Sequence, residues 1–356
     1  MKAITFSKHG GSEVLEYSEV DRPSPGVGEV LLKIHAVAIN HGPDIETRRR
    51  GFGMGAIAMP HIGGVDPAGE IVELGAEVTE FALGDRVAVY PVIACGVCEF
   101  CSDEASENYC SNSVLYGVQT DGGRAEFAVA PASQLVRLPT TVSYEAAAAL
   151  GVAYTTTWHG LMELGKLTAD DTFLVVGAGG GCGVAAVQLA KIYGATVIAI
   201  TGSEWKQEKV RELGADAVFS YRDKDWPDKV REFTGGRGVT IAFDNAGTET
   251  LPSSISCLAR GGRLFCSGGT TGFEVSLDLR QLYRNLISLL FYVQGGKADM
   301  EKLVALVADG SLNPVIDRIY PLENAADADN HLDAQGQFGR VVLAVAGDVP
   351  AAGEYI

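Results

Sequence analysis

Apolar positions along the chain follow two rhythms. Up to Pro139 they come in short runs between glycine, proline and aspartate breakers. Glu29 to Ala38, with Val30, Leu31, Leu32, Ile34 and Val37 after the turn Pro25-Gly26-Val27-Gly28, is one such run; Gly69 to Leu74, Arg86 to Tyr90 and Ala125 to Ala130 are others. This spacing predicts the strands of an irregular, mainly antiparallel β domain. After Pro139 the rhythm changes. Ser143 can cap a helix running through Glu145 and the alanines up to Ala149. From Thr172, apolar runs alternate with helical segments: strands at Phe173 to Val176, Thr196 to Ile200, Ala217 to Ser220, Ile241 to Asp244 and Arg263 to Ser267, and helices at Val184 to Tyr193, Lys206 to Leu213 and Lys229 to Phe233. Continuous apolar strands separated by helices are buried on both faces, so the expectation is an α/β chain whose second part is a doubly wound, parallel Rossmann sheet. The last stretch returns to mixed character and closes on a strand from Arg340 to Val345. The predicted layout is a first domain over 1–150, a Rossmann domain over 151–293, and a segment 294–356 that completes the first domain.

Composition narrows the partners. A chain of 356 residues, 47% hydrophobic, can fill two cores. Its formal charge of −17 opposes binding to nucleic acid, whose phosphates would be repelled over most of the surface. The start, Met1 to Phe6, lacks the apolar core of a signal peptide, and the longest apolar run, Leu286 to Val293, falls far short of the roughly 18 residues that span a bilayer. The expectation is a cytoplasmic protein with no membrane partner. Its seven cysteines then read as thiols or metal ligands, not disulfides.

Between the first predicted Rossmann strand and helix lies Gly177-Ala178-Gly179-Gly180-Gly181-Cys182-Gly183. Small residues let a backbone approach a pyrophosphate, and the helix N-terminus offers unpaired N–H groups and a positive dipole end. The register is Ala178-x-Gly180-x-x-Gly183, with Ala in the first slot, so Ala178, Gly180, Gly181, Cys182 and Gly183 are candidate cofactor-binding residues; the alternative is a tight turn with no ligand. The second strand selects the cofactor. NAD-binding domains place a carboxylate at its tip to hold the ribose hydroxyls. Here the strand ends Thr201-Gly202-Ser203, Glu204 comes only at the start of the next helix, Lys206 follows, and Tyr221-Arg222 ends the third strand. Hydroxyls and cations at Ser203, Lys206 and Tyr221 suit the 2′-phosphate of NADPH, unless the charges are ordinary solvated ones. Asn245 after the fourth strand, and Ser267 and Gly268 after the fifth, lie where the nicotinamide half belongs.

Cys95-x-x-Cys98-x-x-Cys101 followed by Cys110 puts four thiols in one short, polar loop. That set matches a closed, tetrahedral, structural zinc site; an iron–sulfur cluster and plain buried thiols are the alternatives. Cys182, Cys257 and Cys266 have apolar neighbours and read as small core residues.

Together these features resemble the medium-chain dehydrogenase/reductase superfamily along nearly the whole chain. Gly84-Asp85-Arg86-Val87, the cysteine lobe, Asp121 to Phe127, Ala178 to Gly183, Leu213-Gly214-Ala215, Gly261 to Leu264 and Phe338 to Leu343 all match its segments in order. The resemblance implies a GroES-like catalytic domain joined to the Rossmann domain. Zinc alcohol dehydrogenases of the family hold a catalytic metal with a Cys after the early strand, a Gly-His-Glu motif, and a Cys or Asp near the domain junction. This chain has Asn40-His41-Gly42-Pro43-Asp44 at the first place, Gly64-Val65-Asp66 at the second, and Ala149 to Ala153 at the third. Valine cannot ligate a metal. Asn40 and the A-x-G-x-x-G register are instead similar to the quinone oxidoreductase branch, which lacks catalytic zinc. His41, Asp44 and Asp66 keep open a remnant oxygen/nitrogen metal site.

Without a Lewis acid, charge arising on the hydride acceptor must be met by hydrogen-bond donors. Asn40 and His41 are the candidate donors and Asp44 their positioner, with Tyr116 and Tyr154 as weaker candidates. The expected function is an NADPH-dependent reductase of quinones or α,β-unsaturated carbonyls, with one structural zinc. The alternatives are an alcohol dehydrogenase or ketone/aldehyde reductase with an atypical metal site, and a non-catalytic NADPH-binding protein. The apolar run from Ile287 to Val293 suits edge-to-edge pairing into a homodimer, or a pair of dimers.

Overall fold

Strand Glu29–Ile39 is buried along most of its length because sheet partners flank it on both sides. Asp66–Leu74 pairs with it antiparallel along one edge; Phe127–Pro131 and Arg340–Ala344 share the other, again antiparallel. The sheet continues outward through Arg86–Val89 to Leu135–Arg137, and on the other side to Ile316–Pro321, whose pairing with Arg340–Ala344 is parallel. A smaller sheet joins Glu16–Glu19, Lys2–Phe6 and His61–Ile62. Alternation splits the core: Val30, Leu32, Ile34, Ile71, Val87 and Val89 fill one side, while Val37, Ile39, Val341 and Leu343 pack with Ala325, Ala328 and Leu332 of helix Ala325–Asp333 on the other.

A computed structural model describes residues 1–53, 57–101 and 107–345 of the chain, so the end of the predicted segment 294–356 lies outside the described residues. Two compact units emerge, Met1–Thr155 with Gly296–Ile356, and Thr156–Gly295. The helix Tyr144–Trp158 opens as its sequence predicts, with the Ser143 hydroxyl accepting from the Ala146 N–H at 3.1 Å. It is broken at Gly151, whose φ/ψ of −17°/−126° are non-helical.

The second unit is built on six strands: β1 (Thr172–Val176), β2 (Thr196–Thr201), β3 (Ala217–Ser220), β4 (Val239–Asp244), β5 (Leu258–Cys266) and β6 (Ser288–Phe291). All pairs are parallel and the order is β3-β2-β1-β4-β5-β6. This is the doubly wound arrangement, with the ligand crevice at the switch point between β1 and β4. Helix α1 (Gly181–Ile192) follows β1, α2 (Glu204–Glu212) follows β2, and α3 (Trp226–Phe233) follows β3.

Boundaries differ from the sequence expectation where apolar signal is missing. Helix α1 begins at Gly181 rather than Val184, because its first turn is made of glycine and cysteine. Strand β5 begins at Leu258 rather than Arg263; the pairing slips between Val239 and Ile241 of β4, and Gly261 on β5 has φ +78°. The C-terminal segment, expected only to be of mixed character, contains the helices Lys297–Ala308 and Ala325–Asp333; Met300, Leu303 and Val304 are buried on the first, and on the second the buried apolar positions are Ala325, Ala328 and Leu332. Among the described residues no helix is long and apolar enough to cross a membrane.

Candidate functional site

The glycine turn is held from behind. The N–H groups of Gly177 and Ala178 both donate to the Ile200 carbonyl of β2, at 3.0 and 3.1 Å. Gly177 has φ +78°, a left-handed conformation that glycine adopts without steric cost. A Cβ on Gly183 would overlap the Gly177 carbonyl oxygen and come within 2.6 Å of Ala178 Cα, so the first turn of α1 rests directly on the turn's backbone. At Gly180 the situation reverses. The nearest atom to a Cβ there would be 3.5 Å away, and Gly180 stands as the extended N-cap of α1. The result is a cradle with an open face at the N-terminus of a twelve-residue helix, which fits a pyrophosphate. Ala178 is buried in its floor and Cys182 half-buried in the first helical turn, where its carbonyl accepts from the Thr157 hydroxyl at 3.2 Å.

The tip of β2 brings together the residues proposed to choose the cofactor. Thr201 is buried, and the Tyr221 ring lies over Gly202 so closely that a Cβ there would collide with its hydroxyl. Ser203 is the extended N-cap of α2, and its side chain makes no capping bond. The Lys206 stem crosses the glycine turn, its Cδ 2.8 Å from where a Gly179 Cβ would stand. Glu204 is exposed on the first turn of α2. Farther along the crevice, Asn245 and Ser267 lock the ends of β4 and β5: the Asn245 Oδ1 accepts from the Ser267 N–H at 2.7 Å, and its Nδ2 donates to the Ser267 hydroxyl at 3.2 Å. Gly268 sits beside Asn245, and its carbonyl accepts from the Cys266 thiol at 3.0 Å. Asp244, fully buried, accepts from the Ala246 and Gly247 N–H groups and the Thr250 and Ser254 hydroxyls, so it anchors the loop that carries Asn245.

The four cysteines of the first unit converge. One ligand atom from each of Cys95, Cys98, Cys101 and Cys110 lies within 4.8 Å of the others. Sulfur separations of 3.3 Å (Cys98–Cys101) and 3.8 Å (Cys95–Cys101) compare with about 3.8 Å for the edge of a tetrahedron with Zn–S bonds near 2.3 Å. Backbone N–H donors, that of Val97 foremost, lower the Cys95 thiol to about 6, whereas burial raises that of Cys101 to about 12, so it is the geometry of the four sulfurs that speaks for a metal. The donor set and its geometry fit zinc, with no position left over for a substrate. Cys257 and Cys266 are buried as their sequence neighbours predict, whereas Cys182, expected in the core with them, is only half-buried because it sits in the open first turn of α1.

Asn40, at the end of strand Glu29–Ile39, forms the centre of a buried polar cluster. Its Nδ2 donates to Asp66 Oδ2 at 2.9 Å and to Asp44 Oδ2 at 3.1 Å, and its Oδ1 accepts from Arg340 at 3.0 Å. Arg340 also bonds Asp66 at 2.9 Å. Asp44 takes the backbone N–H of Asn40 at 2.8 Å and lies 4.0 Å from Arg124, which pairs with Asp329 at 2.9 Å; Asp329 in turn accepts from Arg48 at 3.1 Å. Three carboxylates and three guanidiniums, all buried, thus balance one another. Burial raises Asp44, and pushes Asp66 up to about 6 against the pull of Arg340. Asp66 also accepts the Val152 N–H through both oxygens, at 3.0 and 3.1 Å, and so caps the helix where it restarts after Gly151. His41 takes a different direction. Its side chain is partly exposed, with Nε2 3.7 Å from Asp333, so it does not join Asp44 and Asp66. Among the described residues the four-cysteine group is the one cluster of three or more metal-binding side chains. Tyr116 is buried in the sheet core, and the Tyr154 hydroxyl accepts from the Val315 N–H at 3.0 Å.

Asn40, Asp44 and Asp66 stand out in the sequence, but their counter-charges do not. Arg124 and Arg340 lie within the family-like segments Asp121 to Phe127 and Phe338 to Leu343, and Arg340 carries a signal of its own, a charged residue opening the apolar run Val341-Val342-Leu343. Arg48 and Asp329 carried no such signal, since one lies in a run of three arginines and the other in a polar helix.

Comparison with known proteins agrees with this architecture. The profile of the alcohol dehydrogenase GroES-like domain matches residues 26–140, and that of the zinc-binding dehydrogenases residues 181–309. The chain is 30% identical to a human quinone oxidoreductase over 96% of its own length and 97% of the relative's. It is also 30% identical to an acryloyl-coenzyme A reductase of Metallosphaera sedula, over 96% and 99%. Its fold superposes on the crystal structure of an NAD-dependent alcohol dehydrogenase with a TM-score of 0.92 and 35% identity, covering 97% of this chain and 100% of the other. A glycine cradle at the switch point of a doubly wound sheet and a whole-length match of this kind define an oxidoreductase that uses a nicotinamide cofactor. The chain belongs to the medium-chain dehydrogenase/reductase superfamily.

Proposed function

We propose that this protein is an NADPH-dependent reductase of quinones or α,β-unsaturated carbonyl compounds that works without a catalytic zinc. The observation that carries the reading is the closed bonding of Asn40. Where metal-using relatives place a thiolate, this chain has an amide whose donors and acceptor are taken by Asp44, Asp66 and Arg340. Val65 beside it offers no ligand. A quinone or enone spreads the charge left by hydride transfer into a phenolate or enolate, so it needs less help than a saturated ketone. Bound NADPH supplies the hydride. The protein's part is to seat the pyrophosphate at Gly180–Gly183, hold the 2′-phosphate with Ser203, Lys206 and Tyr221, and carry the nicotinamide end against Asn245, Ser267 and Gly268. In this reading His41, partly exposed, gives the hydrogen bond or proton to the acceptor oxygen, while Asn40 and Asp44 fix the strand end that presents it. The four cysteines hold one zinc in a structural role. Two copies pair through the β6 edge, beside which Leu286, Phe291 and Val293 are exposed.

The name of the human relative and that of the acryloyl-coenzyme A reductase support the acceptor class; that of the solved alcohol dehydrogenase favours a second reading, NAD-dependent alcohol oxidation with a second metal. One set of measurements separates the two. The purified protein should contain one zinc per chain and oxidise NADPH with 1,4-benzoquinones or enones faster than with saturated ketones. Two zincs per chain with NAD-linked alcohol oxidation would establish the second reading. Binding of NADPH with no turnover across the panel would point to a cofactor-binding protein without catalysis. For the cofactor, Lys206→Ala should raise the KM for NADPH at least tenfold, since a hydrogen-bonded charge pair is worth about 1.5–3 kcal/mol, and leave that for NADH nearly unchanged.

A further inference from the structure

Resting on the NADPH reading above, we propose that Trp205 is a positioning residue for the cofactor's 2′-phosphate: its indole ring gathers Lys206 and Lys209 at the tip of β2 and so sets the preference for NADPH over NADH. The Lys206 ammonium lies 5.3 Å from the centre of the Trp205 ring and that of Lys209 5.9 Å. Both fall within the roughly 6 Å at which a cation is attracted to the face of an indole. Trp205 is 40% exposed, an unusual position for so large an apolar side chain on the first turn of a helix. The two lysines are one and four residues further along α2, and the second is a helical neighbour of the ring.

The placement matters because of what lies on either side. The Lys206 stem runs over Gly179 of the cradle, so its direction is set by the glycine turn beneath it and its charge by the ring beside it. A lysine on a bare helix surface samples many rotamers and loses that freedom on binding a phosphate. Lys206 is constrained in advance, at the strand end where a dinucleotide's adenosine ribose sits. Tyr221 closes the opposite side over Gly202. In a chain of charge −17, two ammoniums held on one ring create a local site for a phosphate dianion that the rest of the surface would repel. A cofactor without the 2′-phosphate has no use for this arrangement.

The test is equilibrium binding of adenosine 2′,5′-bisphosphate and of 5′-AMP to the full chain, followed calorimetrically, for wild type, Trp205→Leu, Trp205→Phe and Lys206→Ala. The wild type should bind the bisphosphate more tightly. Trp205→Leu should weaken the bisphosphate about two- to fivefold, the range of an exposed cation–π contact, and leave 5′-AMP unchanged; Trp205→Phe should recover part of the loss. In the Lys206→Ala background the effect of Trp205→Leu should shrink to what Lys209 contributes. If the wild type does not distinguish the two ligands, the NADPH reading fails and the inference with it. If Lys206→Ala removes the preference while Trp205→Leu keeps it, the NADPH reading stands and the role of Trp205 is overturned. Equal weakening of both ligands by Trp205→Leu also overturns it, since that would mean contact with the adenine or a damaged helix.

Discussion

Asn40 shows how much one side chain can organise. Its amide spans two acidic groups and an arginine in a space that excludes water, where each unmet polar group costs about 1–3 kcal/mol. Asn40→Ala should therefore destabilise the protein by about 3 kcal/mol, read as the midpoint shift in urea unfolding. Asp66 adds a pH signature. Burial raises it from the ordinary value near 3.8 to about 6, which means that folding favours its protonated form. Its contribution is complete below about pH 4, declines as pH rises to about 6, and is level above. The margin by which wild type out-melts Asp66→Asn should accordingly shrink from pH 4 to pH 6.5; a margin that grows would show that Arg340 holds Asp66 ionised throughout. At this scale the sequence was half legible. Asn40, Asp44 and Asp66 stand out as departures from a metal-binding pattern. Their partners come from far along the chain, and pairings of that range leave no local trace.

Elements were legible in proportion to their apolar rhythm. The parallel strands announce themselves because both faces are buried, whereas helix Ala325–Asp333, which seals one core with three small or medium side chains, reads as polar. The cysteine lobe was legible for another reason: its spacing alone encodes a geometry. Chelation, or Cys98→Ser, should release one zinc per chain to a colorimetric indicator and lower the melting temperature by several degrees, at about 2–4 °C per kcal/mol for units of this size. The break at Gly151 was not legible at all. A Cβ there would overlap the carboxyl of Asp66, so the helix yields to a residue of a distant strand. Gly151→Ala, which should stabilise an ordinary helix, is expected to destabilise this one by about 3 kcal/mol.

At the scale of the molecule, the two units carry different features: the doubly wound one bears the glycine turn at its switch point, the other the cysteine lobe and the ionic cluster. The edge strand β6 is the place where the whole molecule meets its copy in our reading, with Phe291 and Val293 exposed at 64% and 82%. Phe291→Lys with Val293→Lys should convert a dimer to a monomer by light scattering while leaving dinucleotide affinity intact; an unchanged mass would place the contact elsewhere. The buried cluster has a consequence for substitution. A single change of Asn40 to cysteine would strip two acids and Arg340 of their shared partner, and a histidine at position 65, fully buried today, would enter a site already filled. Either change alone should destabilise the protein, because it leaves buried polar groups unmet or overfills the core. On our reading of a site without catalytic zinc, installing a metal there would require Asp44, Asp66 and Arg340 to be rebuilt together with Asn40.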